Sequence, residues 1–295
     1  MPVNALWVPL VFGAVALAYV LIHRSTPAWR RPAVDALLVR LGIPVDDHII
    51  SLLDKRVRNT AVLSCLAGFV ALLVIGGLVL LNGGFPEGLA STVLSLTFVA
   101  AAALGSAAAG IGQFAPQAPG TVRIARTRTP ELHDYVNPGW MWASGGVCAL
   151  AVLCTLATVL GADPGPRMFG LPLLAVVASS CVAVCAQFAA FVLSHRLLNL
   201  PQPAQSELEL RWDDALRGMA LRSLWTASLT LAWAAALLAV LWLLAPAPSA
   251  SMWFGFIAIV PIMLFSLRPS RRTEWYLWPD AAAEASADQV VSRAP

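Results

Sequence analysis

Trp140-Met141-Trp142-Ala143-Ser144-Gly145-Gly146-Val147-Cys148-Ala149-Leu150-Ala151-Val152-Leu153-Cys154-Thr155-Leu156-Ala157-Thr158-Val159-Leu160 contains no Asp, Glu, Lys, Arg or His. A hydrocarbon core of about 30 Å needs roughly 20 such residues in a helix. In lipid, a single segment satisfies its backbone groups internally only as a helix. This stretch therefore predicts a membrane span. Six more share its character: Ala5–Ile22, Ala61–Leu81, Leu89–Ile111, Leu171–Leu193, Leu224–Ala245 and Ser251–Leu267. The last is the shortest and contains Pro261.

The whole chain agrees with these windows. Of its 295 residues, 59% are hydrophobic and 12% charged, whereas soluble domains carry about 25% charged residues. The mean hydropathy is +0.75. A disulfide scaffold, a nucleic-acid-binding domain and a disordered chain are all excluded. The expected fold is all-α: a polytopic bundle of seven transmembrane helices forming one domain over residues 1–279, followed by a disordered cytoplasmic tail at 280–295.

Basic residues give the orientation. Segments 23–60, 113–139, 194–223 and 268–295 are long and hold 18 of the 19 Lys and Arg residues. Segments 82–88, 161–170 and 246–250 are short, rich in Gly and Pro, and hold only Arg167. The positive-inside rule places the long set in the cytoplasm, so the N-terminus lies outside and the C-terminus inside. Arg24, Arg30 and Arg31 follow the first apolar run and no basic residue precedes it. That order is the reverse of a cleavable signal and predicts a retained span. One Lys (Lys55) against 18 Arg indicates a GC-rich bacterium. The expected home is the bacterial plasma (inner) membrane, with membrane lipids as obligatory partners.

Two cytoplasmic stretches carry helical patterns. Asp46-Asp47-His48-Ile49-Ile50 opens one that continues through Asp54, Arg56 and Arg58, and Asp213-Asp214-Ala215-Leu216-Arg217 opens another. An Asp pair suits a helix N-terminus. Ile49, Ile50, Leu53 and Val57, and likewise Leu216, Met219, Ala220 and Leu224, recur at helical spacing. Asp54–Arg58 and Asp213–Arg217 are favourable i,i+4 pairs. Both stretches are expected as interfacial amphipathic helices, or as membrane helices that extend beyond the bilayer. Asp46, Asp47, Arg56, Asp213, Asp214 and Arg217 are the candidate contacts for a cytoplasmic ATPase or another membrane protein. Between Gln113 and Pro138 the chain reads as a loop. Trp275-Tyr276-Leu277-Trp278 reads as an interfacial foot, because aromatic residues collect at membrane surfaces.

The second of these stretches, with the Arg-dominated basic set and the Ala/Leu/Trp-rich span behind it, resembles uncharacterised multispan integral membrane proteins of actinobacteria. The resemblance covers about twenty residues plus topology and brings no functional residue with it.

Catalytic patterns are missing from the sequence. His23, His48, His133 and His195 form no His-Glu-x-x-His and all lie outside the apolar runs, so no Ser–His pair reaches membrane depth. There is no Walker A motif and no Cys-x-x-Cys. The last apolar stretch has no Lys for retinal. Cys65, Cys148, Cys154, Cys181 and Cys185 all lie in apolar runs and are expected to pack as small hydrophobes. No catalytic, cofactor or metal residue is assigned.

At membrane depth the chain offers only weakly polar stripes: Ser144, Cys148, Ala151, Thr155 and Thr158 in one span, and Ser180, Ala183, Gln187, Ala190 and Ser194 in the next. Ser144, Thr155, Ser180 and Gln187 form the candidate polar intramembrane face, read first as interhelical glue and second as a polar pathway. Gln187 is the most polar of them and needs a partner. Ala101, Gly105 and Ala109, with Ala102, Ser106 and Gly110, suit close helix approach. The functional expectation is a non-enzymatic membrane subunit or accessory of a transport or export system energised by a partner. An assembly factor for other membrane proteins stands beside it. A lipid-modifying enzyme using Asp46, Asp47, His48, His133 and Asp134 is the third reading.

Overall fold

The computed structural model describes residues 26–81, 89–111, 130–161, 173–200 and 206–244, with Trp278 and a few positions between 14 and 23. Span Ser251–Leu267, segments 82–88, 113–129 and 246–250, and the tail 280–295 fall outside this set, as do most of span Ala5–Ile22 and of segment 161–170. Regular structure among the described residues is entirely helical: α1 Pro27–Leu41, α2 Asp47–Leu81, α3 Leu89–Ile111, α4 Leu132–Tyr135, α5 Pro138–Leu160, α6 Leu173–Asn199 and α7 Glu207–Leu244. Four of these, α2, α5, α6 and α7, hold windows long and apolar enough to cross a membrane.

Two helices are far longer than a bilayer requires. At 1.5 Å per residue, the 35 residues of α2 and the 38 of α7 reach roughly 50–57 Å. The stretches expected as interfacial helices are thus the membrane helices themselves, continued beyond the bilayer. Asp46 opens α2 as expected, its Oδ1 accepting from Ile49 N at 2.8 Å. The other opening differs. α7 starts at Glu207, capped by Ser206 Oγ, which accepts from Glu209 N at 3.1 Å. Asp213 and Asp214 therefore lie well inside the helix, away from any N-terminus.

The extensions do not lay their apolar faces in lipid. Ile49, Leu53, Trp212 and Leu216 bury against one another and against Val34 of α1. Trp212 Nε1 donates to Pro44 O at 2.8 Å, closing this small core. α1 is a helix within the long segment 23–60 that the sequence reading did not single out. Its signals are local: Pro27 in the first turn, apolar Val34, Leu37, Leu38 and Leu41 at helical spacing, and Gly42 at φ 67, whose N–H donates to Leu38 O at 2.8 Å. α1 also takes Asp54 away from its expected partner Arg58: Arg30 Nε donates to Asp54 Oδ1 at 2.6 Å.

α7 occupies the centre. Of its apolar window 67% is buried, against 11%, 28% and 22% for α2, α5 and α6. It packs on α3, α5 and α6, while α2 packs chiefly on α3. Paired positions give the directions. Thr155 meets Ser180 and Ser144 meets Gln187, so α5 and α6 are antiparallel. Ser144 also meets Ser228, and Cys148 and Ala151 share a cluster with Ala232 and Ala235, so α5 and α7 are parallel. Small residues set the spacing. A Cβ on Gly110 would come within 2.8 Å of Ala220 Cβ on α7. One on Gly105 would lie on the Leu63 carbonyl of α2, 2.8 Å from Ser64 Cα. The two small-residue series of α3 thus serve two different neighbours.

The outer faces are apolar. Leu153, Leu156, Phe188 and Phe191 are exposed, Phe188 at 69%, which suits a surface meeting acyl chains rather than water. Cys181 and Cys185 sit on this outside and do not pack inward as expected; Cys148 is the buried cysteine.

Candidate functional site

Two polar assemblies lie inside the bundle, at different depths on α7. The first is built where the N-terminal third of α7 meets the end of α6, the start of α2 and the short helix α4. Arg217 is 1% exposed. Its Nε donates to Asp213 Oδ2 at 2.8 Å, the i,i+4 pair read from the sequence. Its Nη1 donates to Leu197 O at 3.0 Å and Leu200 O at 2.9 Å. Leu197 is in the last turn of α6 and Leu200 follows its end, so neither carbonyl has an intrahelical donor. One guanidinium therefore closes the end of α6 onto α7.

Asp214 is fully buried. Its Oδ1 accepts from Tyr135 Oη at 3.0 Å and its Oδ2 from Trp278 Nε1 at 3.2 Å. The Trp278 ring also lies under the Arg211 guanidinium, 4.9 Å from its centroid. Trp278 is thus tied to α7 through both its N–H and its ring face. Tyr135 arrives on α4, in a segment read as loop. That helix forms because Asp134 Oδ2 accepts from Glu131 N at 2.8 Å, tying off its first turn. The signal was a carboxylate three residues after Glu131 and an apolar Leu132-x-x-Tyr135-Val136 pattern between two prolines.

Arg56 completes the cluster from α2. It is 5% exposed, and its Nη2 donates to Leu216 O at 2.9 Å across the helix contact. Of the six candidate partner contacts, Arg56, Asp214 and Arg217 therefore point inward and knit the bundle end together. Asp46 is spent on capping α2, Asp213 on Arg217, and Asp47 remains on the surface. The structure brings Arg56, Asp213, Asp214 and Arg217 to one end; Asp46 and Asp47 stand apart from them at the start of α2.

The second assembly lies in the membrane, on α5, α6 and α7. Gln187 Oε1 accepts from Ser144 Oγ at 2.7 Å and from Ser228 Oγ at 2.6 Å. Both lone pairs of the amide oxygen are used. Nearer the N-terminal end of α7, Trp225 Nε1 donates to Ser194 Oγ at 3.1 Å, and Trp225 is buried in the core. At the other end Thr155 and Ser180 hydroxyls meet at 2.7 Å. The four residues of the candidate intramembrane face thus form two pairs. Ser144 and Thr155 stand 11 positions apart on α5, about 16 Å of helix, and the space between is filled by Cys148, Ala151, Ala183, Ala232, Ala235 and Ala236. The polar groups are paired with one another and separated by a dry alanine layer. Paired hydroxyl and amide groups of this kind join helices within a bundle. Ser228 is the contributor that pattern reading of α5 and α6 did not supply.

Among the described residues no three His, Cys, Asp or Glu side chains converge as a metal site would require. Asp46 and Asp134, two carboxylates of the lipid-modifying reading, are both committed to helix starts. Comparison with known protein families, with characterised proteins and with solved structures finds no match to this chain.

Proposed function

We propose that the protein is a non-enzymatic component of a transport or export system in a bacterial inner membrane, energised by a cytoplasmic partner. In this reading the chain spans seven times, with the N-terminus outside and the clustered end of α7 in the cytoplasm. One observation carries it: α7 runs unbroken from the buried Asp213–Arg217 cluster to the Ser228–Gln187–Ser144 node, with α3, α5 and α6 all packed on it. A push on the cytoplasmic end is transmitted along a continuous helix to the node where Gln187 joins α5, α6 and α7. Interiors packed this tightly transmit strain rather than absorb it. The apolar runs hold no ionisable side chain, the usual mark of an autonomous ion-coupled transporter, so the energy would come from another chain.

Affinity purification from native membranes in mild detergent tests the reading. A stoichiometric nucleotide-hydrolysing subunit or transporter core is the expected co-purifying species. Recovery of a mixed set of unrelated membrane proteins would favour an assembly factor instead, and recovery of the chain alone would defeat both.

A further inference from the structure

Arg56 is a buried charge whose hydrogen-bonding capacity is only partly met among the described residues. Only 5% of it is exposed. Of its five N–H groups one is engaged, Nη2 to the Leu216 carbonyl at 2.9 Å. Its Nη1 is sealed from solvent and has no hydrogen-bond partner among the described residues. The carboxylate that acts on it electrostatically, Asp213, is held by Arg217 at 2.8 Å. An unpaired buried guanidinium is among the costliest features a fold can carry, which is why buried charges are almost always paired. The segment after α3, whose Gly110 lies beside this guanidinium, contains Arg123, Arg126 and Arg128 and no Asp or Glu between residues 112 and 129. By sequence that segment adds positive charge and no carboxylate.

We propose that Arg56 receives the phosphate of an anionic phospholipid from the adjoining leaflet, the cytoplasmic one in the orientation given above. Its position matches that ligand. Arg56 lies five residues, about 7.5 Å, before the apolar run that opens at Ala61, the depth of headgroup phosphates. Leu52, Lys55, Leu63, Leu66 and Val70 recur at helical spacing along the exposed side of α2. Arg56 sits one residue past Lys55, on the edge between this stripe and the bundle. A phosphate at the end of the stripe meets Lys55 from outside and Arg56 from the edge, while its acyl chains lie along Leu63, Leu66 and Val70. Basic sites between membrane helices on the cytoplasmic side hold anionic headgroups in this manner. Small local movement of the Arg56 side chain is required to open Nη1 to the ligand. The site is independent of the transport reading and stands or falls without it.

The test uses the full chain purified in neutral detergent, with thermal aggregation followed after addition of phosphatidylglycerol, phosphatidylcholine or inorganic phosphate. Phosphatidylglycerol is expected to raise the midpoint by about 3 °C or more in the wild type, and phosphatidylcholine to leave it unchanged. Arg56→Gln should abolish the shift, Arg56→Lys should keep part of it, and Lys55→Gln should weaken it. Without added lipid, Arg56→Gln should be at least as stable as the wild type, because it removes an unpaired buried charge. An equal phosphatidylglycerol shift in wild type and Arg56→Gln overturns the proposal. An equal response to inorganic phosphate alone overturns the lipid source and leaves a soluble phosphate site. Should Arg56→Gln fail to fold, native mass spectrometry of the wild type decides: bound phosphatidylglycerol must outlast phosphatidylcholine on activation, and equal loss refutes the site.

Discussion

Replacing Gly105 by Ala adds a single methyl group, and the structure assigns it a definite consequence. The new Cβ would lie on the Leu63 carbonyl and 2.8 Å from Ser64 Cα. Both are backbone atoms, so no side-chain rotation relieves the clash. Carbon atoms in good contact stand about 3.5–4.0 Å apart, so α2 and α3 must separate by roughly 0.8 Å along their contact. A gap of that size forfeits about a quarter to a half of the dispersion energy of each pair it opens. Overpacking of this kind costs about 1–3 kcal/mol, against which the intrinsic gain of Ala over Gly in a helix, about 1 kcal/mol, offsets only part. The same substitution at Gly145 or Gly146 of α5 meets nothing within 4 Å. There the helix gain stands alone and the variant should be more stable than wild type by about 0.5–1 kcal/mol. Thermal aggregation of the purified variants reads both. Gly105→Ala should lower the midpoint, while Gly145→Ala and Gly146→Ala raise it. The half-exposed control Leu104→Ile should scarcely move it. A midpoint for Gly105→Ala at or above that of wild type would refute the close α2–α3 contact, and with it the explanation of the small-residue face.

Three further outcomes are expected. Gln187→Leu strands the Ser144 and Ser228 hydroxyls and should cost about 0.6–1.7 kcal/mol, the range for hydrogen bonds between membrane helices; in Ser144→Ala/Ser228→Ala protein the same change should cost much less, and equal costs in both backgrounds would show that the node is not coupled. Arg217→Met leaves Asp213 without its partner and uncovers the last carbonyls of α6, so the link at 201–206 should become the first site of limited proteolysis; an unchanged cleavage pattern would contradict the closure of α6 onto α7. For topology, single cysteines introduced at Gly84, Gly165 and Ala247 should react with an impermeant reagent on intact cells, while those at Thr127, Gln205 and Ala283 stay protected; protection at Ala247 with labelling at Ala283 would invert the last hairpin.

The apolar stripes were legible in the sequence because lipid imposes a simple condition. Every polar side chain at membrane depth must turn inward, so Ser144, Cys148, Ala151, Thr155 and Thr158 declared one face of α5 by their spacing, and all five are buried. The same logic found Ser180 and Gln187, and the i,i+4 rule found Asp213–Arg217, since both need only one helix to be read. Local chemistry also marked the start of α2 at Asp46 and would have marked α1 through Pro27 and Gly42.

What tertiary structure alone decided are the contacts between segments distant in the chain. Asp54 could pair with Arg58 on its own helix, but Arg30 on α1 holds it. Trp278 carried the signature of a membrane anchor, yet its N–H goes to Asp214, 64 residues away in sequence. Arg56 and Asp214 looked like surface charges because the amphipathic pattern around them suits a helix lying on the membrane equally well. Spacing states which residues share a face; it does not state whether lipid, water or another helix covers that face. For Arg56 the cover is α7; for Asp214, on α7 itself, it is Tyr135 of α4 and Trp278. The central place of α7 follows from its small residues on several sides, where α3, α5 and α6 can all approach at once.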